Sequence, residues 1–425
     1  MTNKIRTFLV SMILPLFTIG IFLLVFILYL PSQAAPDGAF IVNTDADTDD
    51  GACDGTNCTL REAINTANAT AGFDTIAFSL PPNANITLAG SQLPTIIDYL
   101  AIDGSASPGI TIRGANITRT FTIGNGTNVT MTNITIGDGW AVSGGAIYND
   151  GGTLNINNCT IENNVSDDVF LNKGGGGIYN QGELTINNCT ITGNLAGFAG
   201  GGLYNFTGTV NISNSSFIGN ATDWIFTLAE YTLGGAIYND AGTVTIVNST
   251  FSGNYCRAFR GTCDGGGIAN KGALYIYNNT FSGNSAASYP GPGGGGIRSW
   301  GNLNLSNTII ANSGGGDCIG NINTSINNLI EDGNCNPFIT GDPLLEPLQD
   351  NGGPTWTYAL TAPSPAVDAG DDGICAAQPV NNLDQRGVTR PLDGDGEGTP
   401  KCDIGAYEYD GPPPFRSLWP VVFRN

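Results

Sequence analysis

Two short acidic segments, one near each end of the chain, carry oxygen ligands at alternate positions. They are Asp45, Asp47 and Asp49 in the first segment and Asp393, Asp395 and Glu397 in the second. Calcium binds such ligands in loops that also need a glycine after the third ligand and a bidentate glutamate at the twelfth position. Gly398 meets the glycine requirement in the second segment, but its twelfth position is Ile404, and the first segment meets neither requirement. Each segment is therefore half of a Ca²⁺ loop, and a solvated acidic turn is the alternative interpretation.

Residue types that would break down a polysaccharide are sparse. Glycoside hydrolysis needs two carboxyl groups held roughly 5 to 9.5 Å apart, and a lyase needs a base, usually with Ca²⁺ beside it. The triplet Asn43-Thr44-Asp45 is similar to the Asn-Thr-Asp of polygalacturonases, but it precedes the repeats, and the histidine of that family is missing because the chain has no histidine. Arg298 is the only basic residue at the aligned repeat positions. A polysaccharide lyase or glycoside hydrolase is therefore the alternative function, and a non-enzymatic function is favoured.

Aromatic and arginine side chains concentrate in segments of variable length that separate the repeats. The candidate ligand-binding residues among them are Trp224, Phe226, Tyr231, Arg257, Phe259, Arg260 and Tyr289. Insertions that leave a repeat scaffold on one side often form its binding face, and aromatic rings offer a ligand flat apolar surfaces. We expect a glycan or another cell-surface component to stack on these rings. The alternative is that the aromatics only pack the insertions onto the scaffold.

Six segments that open with Gly-Gly, and mostly end in Tyr-Asn, divide the middle of the chain into repeats. They start at Gly144, Gly175, Gly200, Gly234, Gly265 and Gly294. Each is followed by a short alternating run, such as Thr153-Leu154-Asn155-Ile156, and then by Asn-x-Thr-Ile/Phe-x-x-Asn. Alternation with a period of two indicates strands with one buried face, and neighbouring repeats must stack to bury those faces. The sequence therefore predicts an all-β fold, a right-handed parallel β-helix, over residues 81–312.

Asparagine recurs at two fixed positions of the repeat. The first set is Asn149, Asn180, Asn205, Asn239 and Asn270, and the second is Asn164, Asn194, Asn220, Asn254, Asn284 and Asn312. Asparagine tolerates left-handed backbone geometry, and stacked amides hydrogen-bond to one another. We therefore expect two corner ladders of asparagine with left-handed backbone.

A short helix is predicted within the N-terminal region, residues 35–80. Thr59 and Glu62 form a capping box, and Leu60 and Ile64 fall on one apolar face. Such a helix is suited to cover the open end of the first coil, which would otherwise expose apolar side chains and unpaired strand edges.

Residues 1–34 have the pattern of an export signal. Basic Lys4 and Arg6 precede a long apolar run, and the small residues Ser32 and Ala34 predict cleavage after Ala34. The apolar run is also long enough to span ~30 Å of hydrocarbon, so an uncleaved signal anchor is the alternative. Membrane association is expected only through this segment if it is retained.

Ten cysteines in an exported chain predict disulfide bonds. Spacing pairs Cys53 with Cys58, Cys256 with Cys263, Cys318 with Cys335 and Cys375 with Cys402. Cys159 and Cys189 hold the same place in successive repeats, where they either bridge adjacent coils or stack as reduced thiols.

The charge balance excludes one class of partner. The formal net charge is -21, and charged residues make up only 12% of the chain. A nucleic acid would be repelled by such a surface, whereas an acidic surface suits a soluble extracellular protein.

Three groups of motifs resemble bacterial surface proteins. Cys58-Thr59-Leu60-Arg61-Glu62-Ala63-Ile64 resembles the CSLREA motif of exported β-helix proteins, with Thr59 in place of serine. The GGAI segments at Gly144 and Gly234, with Phe251-Ser252-Gly253-Asn254, are similar to the GGAI and FxxN repeats of chlamydial polymorphic outer-membrane proteins, which are adhesins. This chain is expected to differ from that family in having no room for the family's C-terminal membrane barrel.

The last hundred residues resemble a choice-of-anchor domain of the Q type. The motifs that carry the resemblance are Asp350-Asn351-Gly352-Gly353-Pro354-Thr355, Ser364-Pro365-Ala366-Val367-Asp368-Ala369-Gly370, Asp384-Gln385-Arg386-Gly387 and Asp403-Ile404-Gly405-Ala406-Tyr407-Glu408. The resemblance implies a module over residues 313–410 that precedes a surface anchor, with no catalytic role, and a Pro-rich tail over residues 411–425.

Taken with the composition, these resemblances predict a secreted or cell-surface protein. Its expected partner is a cell-surface glycan or envelope component, and Ca²⁺ is the one metal ion that the acidic segments indicate.

Overall fold

The chain folds into stacked coils, each of which contributes one strand to each of several parallel sheets. The computed structural model describes residues 38–167, 173–223, 231–258, 261–288 and 291–411. In these residues the named strands pair in parallel, each with the equivalent strand of the next coil. This architecture is a parallel β-helix, as the repeat predicts.

Two sheets carry most of the regular strands. The long wall consists of β1 Gly38–Val42, β2 Phe73–Phe78, β4 Tyr99–Asp103, β7 Asn128–Thr132, β11 Thr153–Asn157, β15 Glu183–Asn187, β19 Thr209–Ser213, β24 Thr243–Val247, β29 Ala273–Tyr277, β33 Asn302–Ser306 and β36 Thr324–Ile326. The Thr wall consists of β3 Asn85–Thr87, β5 Thr111–Arg113, β8 Thr135–Gly137, β12 Thr160–Glu162, β16 Thr190–Thr192, β20 Ser216–Ile218, β25 Thr250–Ser252, β30 Thr280–Ser282, β34 Ile309–Ala311 and β37 Leu329–Ile330.

Three smaller sheets complete the coils. The Tyr wall consists of β6 Phe121–Ile123, β10 Ile147–Asn149, β14 Ile178–Asn180, β18 Leu203–Asn205, β23 Ile237–Asn239, β28 Ile268–Asn270, β32 Ile297–Ser299 and β35 Cys318–Gly320. The short wall consists of β9 Trp140–Ala141, β13 Val165–Ser166, β17 Leu195–Ala196, β21 Ala221–Asp223, β26 Tyr255–Arg257 and β31 Ser285–Ala287. A two-stranded sheet pairs β22 Tyr231–Leu233 with β27 Thr262–Asp264.

The interior is built from columns of like residues, because the coils stack in register. Phe217, Phe251 and Phe281 are fully buried on the inner side of the Thr wall, and their rings stack with centroids 4.8 and 4.5 Å apart. Truncating a buried phenylalanine of this kind to alanine costs about 3 to 5 kcal/mol. The period-two pattern read from the sequence therefore corresponds to a continuous apolar core.

Both asparagine ladders exist, but their backbone geometry differs from the prediction. Within each ladder, side-chain amides of successive coils are joined by hydrogen bonds of 2.8 to 3.0 Å. The left-handed residue in the second set is the one before the ladder asparagine, such as Asn163 with φ 55° and Gly193 with φ 62°. Asn312 is itself such a left-handed, exposed residue, and Ser313 occupies the ladder position in that coil. Ladder residues must turn their amides inward, so the turn falls one residue earlier.

The N-terminal coils are covered by α1, which spans Leu60–Ala69. The Thr59 hydroxyl accepts the backbone N–H of Glu62, and the Glu62 carboxylate accepts that of Thr59, so the predicted capping box is present. Leu60 and Ile64 are buried among the coils. The coil stack begins with β1 and continues to β37, which is longer at both ends than the predicted range 81–312.

Residues 340–411, here called the C-terminal module, lie against the outer face of the Thr wall. They contain α2, Asp372–Ala376, and several isolated antiparallel bridges. All four cysteine pairs predicted from spacing are disulfide-bonded, and Cys159 and Cys189 are buried thiols.

The predicted export signal and the Pro-rich tail lie outside the described residues, apart from Gly411. Among the described residues, no helix is both long and apolar enough to cross a membrane.

Candidate ligand-binding face

Five of the predicted ligand-binding residues lie outside the described part of the chain. They are Trp224, Phe226, Phe259, Arg260 and Tyr289. Of the other two, Tyr231 is 48% exposed in β22, and Arg257 in β26 pairs with the carboxylate of Asp223. The structure therefore describes the base of the predicted binding region.

The insertions leave the coils at one corner, between the short wall and the Tyr wall. In one coil the insertion follows β21 and ends at β22. In the next coil the insertion lies between β26 and β27 in the same way. The disulfide between Cys256 and Cys263 joins β26 to β27. Thr222 and Thr232 are also completely buried between these strands. The described strands at the base of two successive insertions thus stack on each other.

A ladder of tyrosines, which the sequence reading used only as a repeat marker, covers the outer face of the Tyr wall. Tyr148, Tyr179, Tyr204 and Tyr238 follow one another with ring centroids 5.1, 5.1 and 4.9 Å apart. In each Ile-Tyr-Asn strand the isoleucine and asparagine point inward, so alternation places the tyrosine outside. This alternation of inward and outward residues is the feature of the sequence that would have identified the ladder.

Most of the tyrosine ladder is buried beneath the base of the insertions. Tyr179, Tyr204 and Tyr238 are only 2 to 3% exposed, and they pack with Phe198 and Leu233. The ring of Tyr231 contacts Phe198 with centroids 6.1 Å apart. Part of the aromatic set therefore packs insertions onto the scaffold, as the alternative interpretation predicts.

Two hydroxyl groups of this ladder donate hydrogen bonds to one carboxylate. Tyr238 donates to Asp240 at 2.7 Å, and Tyr204 contacts the other oxygen of the same carboxylate at 3.3 Å. Burial, followed by the hydrogen bond to Asp240, raises the pKa of Tyr238 far above its usual value. Lys271 stands over the Tyr238 ring at 5.4 Å from its centroid and 3.9 Å from Asp240. Ring, cation and carboxylate thus occur together at the edge of the wall.

Trp300 is the accessible aromatic next to this edge. It is 45% exposed, and the guanidinium of Arg298 lies 5.0 Å from its ring. A shallow cleft of about 520 Å³ opens beside it, lined also by Lys271, Asn302 and Asn323. An indole face, an ammonium group and side-chain amides are the groups that a sugar ring and its hydroxyls contact. Sequence reasoning missed Trp300 because it follows a repeat strand directly and does not belong to an insertion.

Arg298, the basic residue considered for catalysis, is engaged with its neighbours. Its Nε lies 3.7 Å from a carboxylate oxygen of Asp264, and its guanidinium stacks on Trp300. Burial raises the pKa of Asp264, while Arg298 opposes that effect. Neither residue of this pair lines the cleft beside Trp300.

The first acidic segment is tied to α1. Asp47 forms a salt bridge of 2.9 Å with Arg61 and also accepts the N–H of Ala89. Asp49 accepts a hydrogen bond from Asn65, and Asp45 is exposed. The structure does not bring these three carboxylates together as a ligand group.

The second acidic segment does form a cluster, with one unpredicted member. Oxygens of Asp393, Asp395 and Asp368 lie within 4.8 Å of one another, whereas Glu397 is not part of the group. Burial raises the pKa of Asp368. Three carboxylates at this spacing fit the oxygen chemistry of a hard cation, and calcium binding here stays a prediction.

The walls and the corner of insertions define the chain as a parallel β-helix protein built from Gly-Gly repeats. The Chlamydia polymorphic membrane protein (Chlamydia_PMP) repeat matches residues 158–181. A crystal structure of pectate lyase Pel9A is similar, with a TM-score of 0.48 and 13% sequence identity, over 88% of this chain and 97% of that chain. None of the curated proteins matches the sequence.

Proposed function

We propose that this chain is a non-enzymatic, secreted or cell-surface β-helix protein that binds a glycan through exposed aromatic residues on and beside the Tyr wall. The observation that carries the proposal is the cleft beside Trp300, where an exposed indole, Lys271 and two asparagines converge at the end of the tyrosine ladder. Tyr231, 48% exposed in β22, is a second exposed aromatic residue, on the insertion side of the Tyr wall.

Location at the cell surface is supported by two further features. The matched repeat is that of Chlamydia polymorphic membrane proteins. Four disulfides suit an oxidising, extracellular environment. The CSLREA-like capping helix and the choice-of-anchor-like module are consistent with attachment to an envelope, with the module as the anchoring part.

A glycan array read with the intact protein tests the binding proposal. Trp300→Ala and Tyr231→Ala are expected to reduce binding of any positive glycan about tenfold each, since aromatic contacts of this type contribute about 1 to 1.5 kcal/mol. Trp356→Ala is the matched control, because Trp356 is similarly exposed, at 52%, but lies on the C-terminal module.

Two results would contradict the proposal. One is an array without any saturable binding, and the other is an equal loss in the Trp356 control. Reducing-sugar and unsaturated-product assays on the same glycans, with Ca²⁺ present, distinguish binding from the alternative function as a polysaccharide lyase or glycoside hydrolase.

A further inference from the structure

The Thr wall presents a similar pair of polar residues in most coils. A left-handed asparagine precedes most of its strands by two positions, and a threonine or serine starts most of them. The asparagines, with φ between 44° and 57°, are Asn133, Asn158, Asn188, Asn214, Asn248, Asn278, Asn307 and Asn327. Because coils stack in register, these pairs form two parallel columns along the outside of the β-helix.

The C-terminal module forms hydrogen bonds with these columns in successive coils, mostly through its backbone groups. Ser216 donates to the carbonyl of Trp356 at 2.8 Å, and Asn248 donates to that of Leu383 at 2.9 Å. The same chemistry continues where Asn307 donates to the carbonyl of Asp371 at 3.1 Å and Asn327 to that of Ala369 at 3.0 Å. Thr280 accepts the N–H of Ala406, and Thr250 donates to the side chain of Gln385. The columns therefore present regularly spaced hydrogen-bonding groups to a non-helical polypeptide that crosses the coils.

The module stops at the coil of Ser216, but the columns do not. Asn248 and Thr250 beneath the module are 3% and 0% exposed. One coil toward the N-terminus from Ser216, Asn188 and Thr190 are only half-buried, and two coils away Thr160 is half-buried and Asn158 is exposed. The difference in burial marks where the covering segment ends, since the residue types and backbone geometry are the same.

A groove follows the uncovered columns. It has a volume of about 440 Å³ and is lined by Ser105, Asn133, Thr135, Asn158 and Thr160, among others. It therefore crosses at least three coils at right angles to the strands. The module segment takes that same direction, because Thr355 contacts the coil of Asn214 and Tyr358 contacts Ser252 one coil on.

We propose that the uncovered part of the Thr wall, from Asn133 to Thr190, is a docking surface for an extended, uncharged polypeptide segment of a partner protein. The segment would cross the coils and supply backbone carbonyl and N–H groups to the Asn and Thr columns. Continuity with the interface of the C-terminal module is the basis of this assignment. The residues that line the groove are uncharged. Asp103 accepts hydrogen bonds from Ser105 at the N-terminal end of the groove, and Arg113 pairs with both Asp138 and Glu162 beside it.

A peptide copied from the chain's own docked segment, Asn351–Leu360, serves as the probe. It is labelled with fluorescein and titrated with the full-length protein while anisotropy is measured. Asn158→Gly keeps the left-handed turn and removes the amide, and Thr160→Val removes the hydroxyl at nearly constant volume. We expect each change to weaken binding roughly fivefold, as for one lost hydrogen bond.

The chain offers matched controls for both changes. Asn163 also has left-handed backbone geometry and is exposed. It lies in the same coil as Asn158, at the other end of β12. Thr185 is half-buried on the long wall. Asn163→Gly and Thr185→Val are expected to change the affinity less than twofold.

Three outcomes would overturn the assignment. The first is the absence of saturable binding, and the second is an equal loss in the controls. The third is binding that depends on Asn248 and Thr250 and is unaffected by the Asn158 and Thr160 changes, because the peptide would then be replacing the module. Glycan binding through Trp300 is measured separately, so neither proposal depends on the other.

Discussion

Each buried asparagine of the inner ladders satisfies polar groups of neighbouring coils. Asn220 accepts the backbone N–H and the amide of Asn194 and donates to the carbonyl of Ile191 and to Asn254. A buried polar group that loses its partner costs about 1 to 3 kcal/mol. The Asn220 side chain therefore takes part in four hydrogen bonds, three with the preceding coil and one with the next.

We predict that Asn220→Ala lowers the free energy of unfolding by about 3 kcal/mol, because it leaves unpaired groups in two coils. Urea unfolding followed by circular dichroism measures the change. Asn211→Ala is the control, since Asn211 is exposed on β19 of the same coil, and we expect it to alter stability by less than ~0.5 kcal/mol. Equal effects would mean that the ladder adds nothing.

A cluster of buried charges lies inside the C-terminal module. Arg390 and Glu408 are completely buried and 3.4 Å apart, and Asp403 lies beside them. Burial, followed by the charge of Glu408, raises the pKa of Asp403 to about 8. The Asp403 side chain accepts the N–H groups of Asp368 and Tyr409, so its protonation state affects how the module is held together.

This raised pKa predicts a loss of stability as the pH rises. Below about pH 4 both the folded and the unfolded chain hold the Asp403 proton. Between there and about pH 8 only the folded chain holds it, so stability falls with increasing pH. Urea midpoints of the module, compared between about pH 5 and pH 8, should decrease, and Asp403→Asn should flatten that slope. An unchanged slope in the variant would contradict this assignment.

At the scale of elements, α1 protects the first coils. Its capping box joins Thr59 and Glu62, and the other Glu62 oxygen accepts the N–H of Asp50 in the preceding segment. A salt bridge from Arg61 to Asp47 fixes the same segment. The helix thus holds the N-terminal segment against the end of the core.

We predict that Thr59→Ala destabilises the N-terminal coils by about 1 to 2 kcal/mol, whereas Thr59→Ser is neutral, because serine retains the capping hydroxyl. Hydrogen exchange in β1 and β2 measures the effect locally. Faster exchange should be confined to these strands. Equal exchange in the alanine and serine variants would exclude a capping role.

The acidic turn around Asp393 gives the calcium prediction a specific test. If Asp368, Asp393 and Asp395 take up Ca²⁺, the ion should raise the thermal midpoint of the module, and chelation should reverse the shift. Asp393→Asn should remove the response. Asp45→Asn is the control, because Asp45 is exposed and lies in the other acidic segment. A response that persists in Asp393→Asn would place the ion elsewhere.

The repeat made the fold predictable, because each coil shows the same strand alternation at equivalent positions. Ile156, Ile186 and Ile212 hold one such position and pair in register. The four disulfides were predictable for the same reason, since each closes a short loop. The Thr wall interface was not, because it joins residues as far apart as Ser216 and Gln385. The sequence did not identify Trp300 as a candidate, because the exposure of its side chain and its proximity to Lys271 depend on how the coils stack.

At the scale of the whole molecule, the C-terminal module ties several coils together. Gln385 is 1% exposed and bonds to Ser216, Thr250 and Thr355 at once. This one side chain therefore links two coils with two parts of the module. Truncating Gln385 within the closed interface would remove three hydrogen bonds to buried hydroxyl groups.

We predict that Gln385→Ala lowers module stability by about 2 to 3 kcal/mol while the coils remain folded. Limited proteolysis should then cut within residues 340–411 more rapidly, with the N-terminal coils intact. Gln349→Ala, an exposed glutamine of the same module, is the control. Unchanged protease resistance in Gln385→Ala would mean that the interface has other main contacts.

In-register stacking also makes the coil a unit that evolution can copy. The coil that begins at Ile178 lies between equivalent residues of its neighbours, such as Ile147 and Leu203. Duplicating it would lengthen the molecule by about 4.8 Å, the spacing of neighbouring strands, without creating a new kind of contact. Gene duplication within the repeat can therefore set how far Tyr231 and Trp300 stand from the N-terminal end, independently of what they bind.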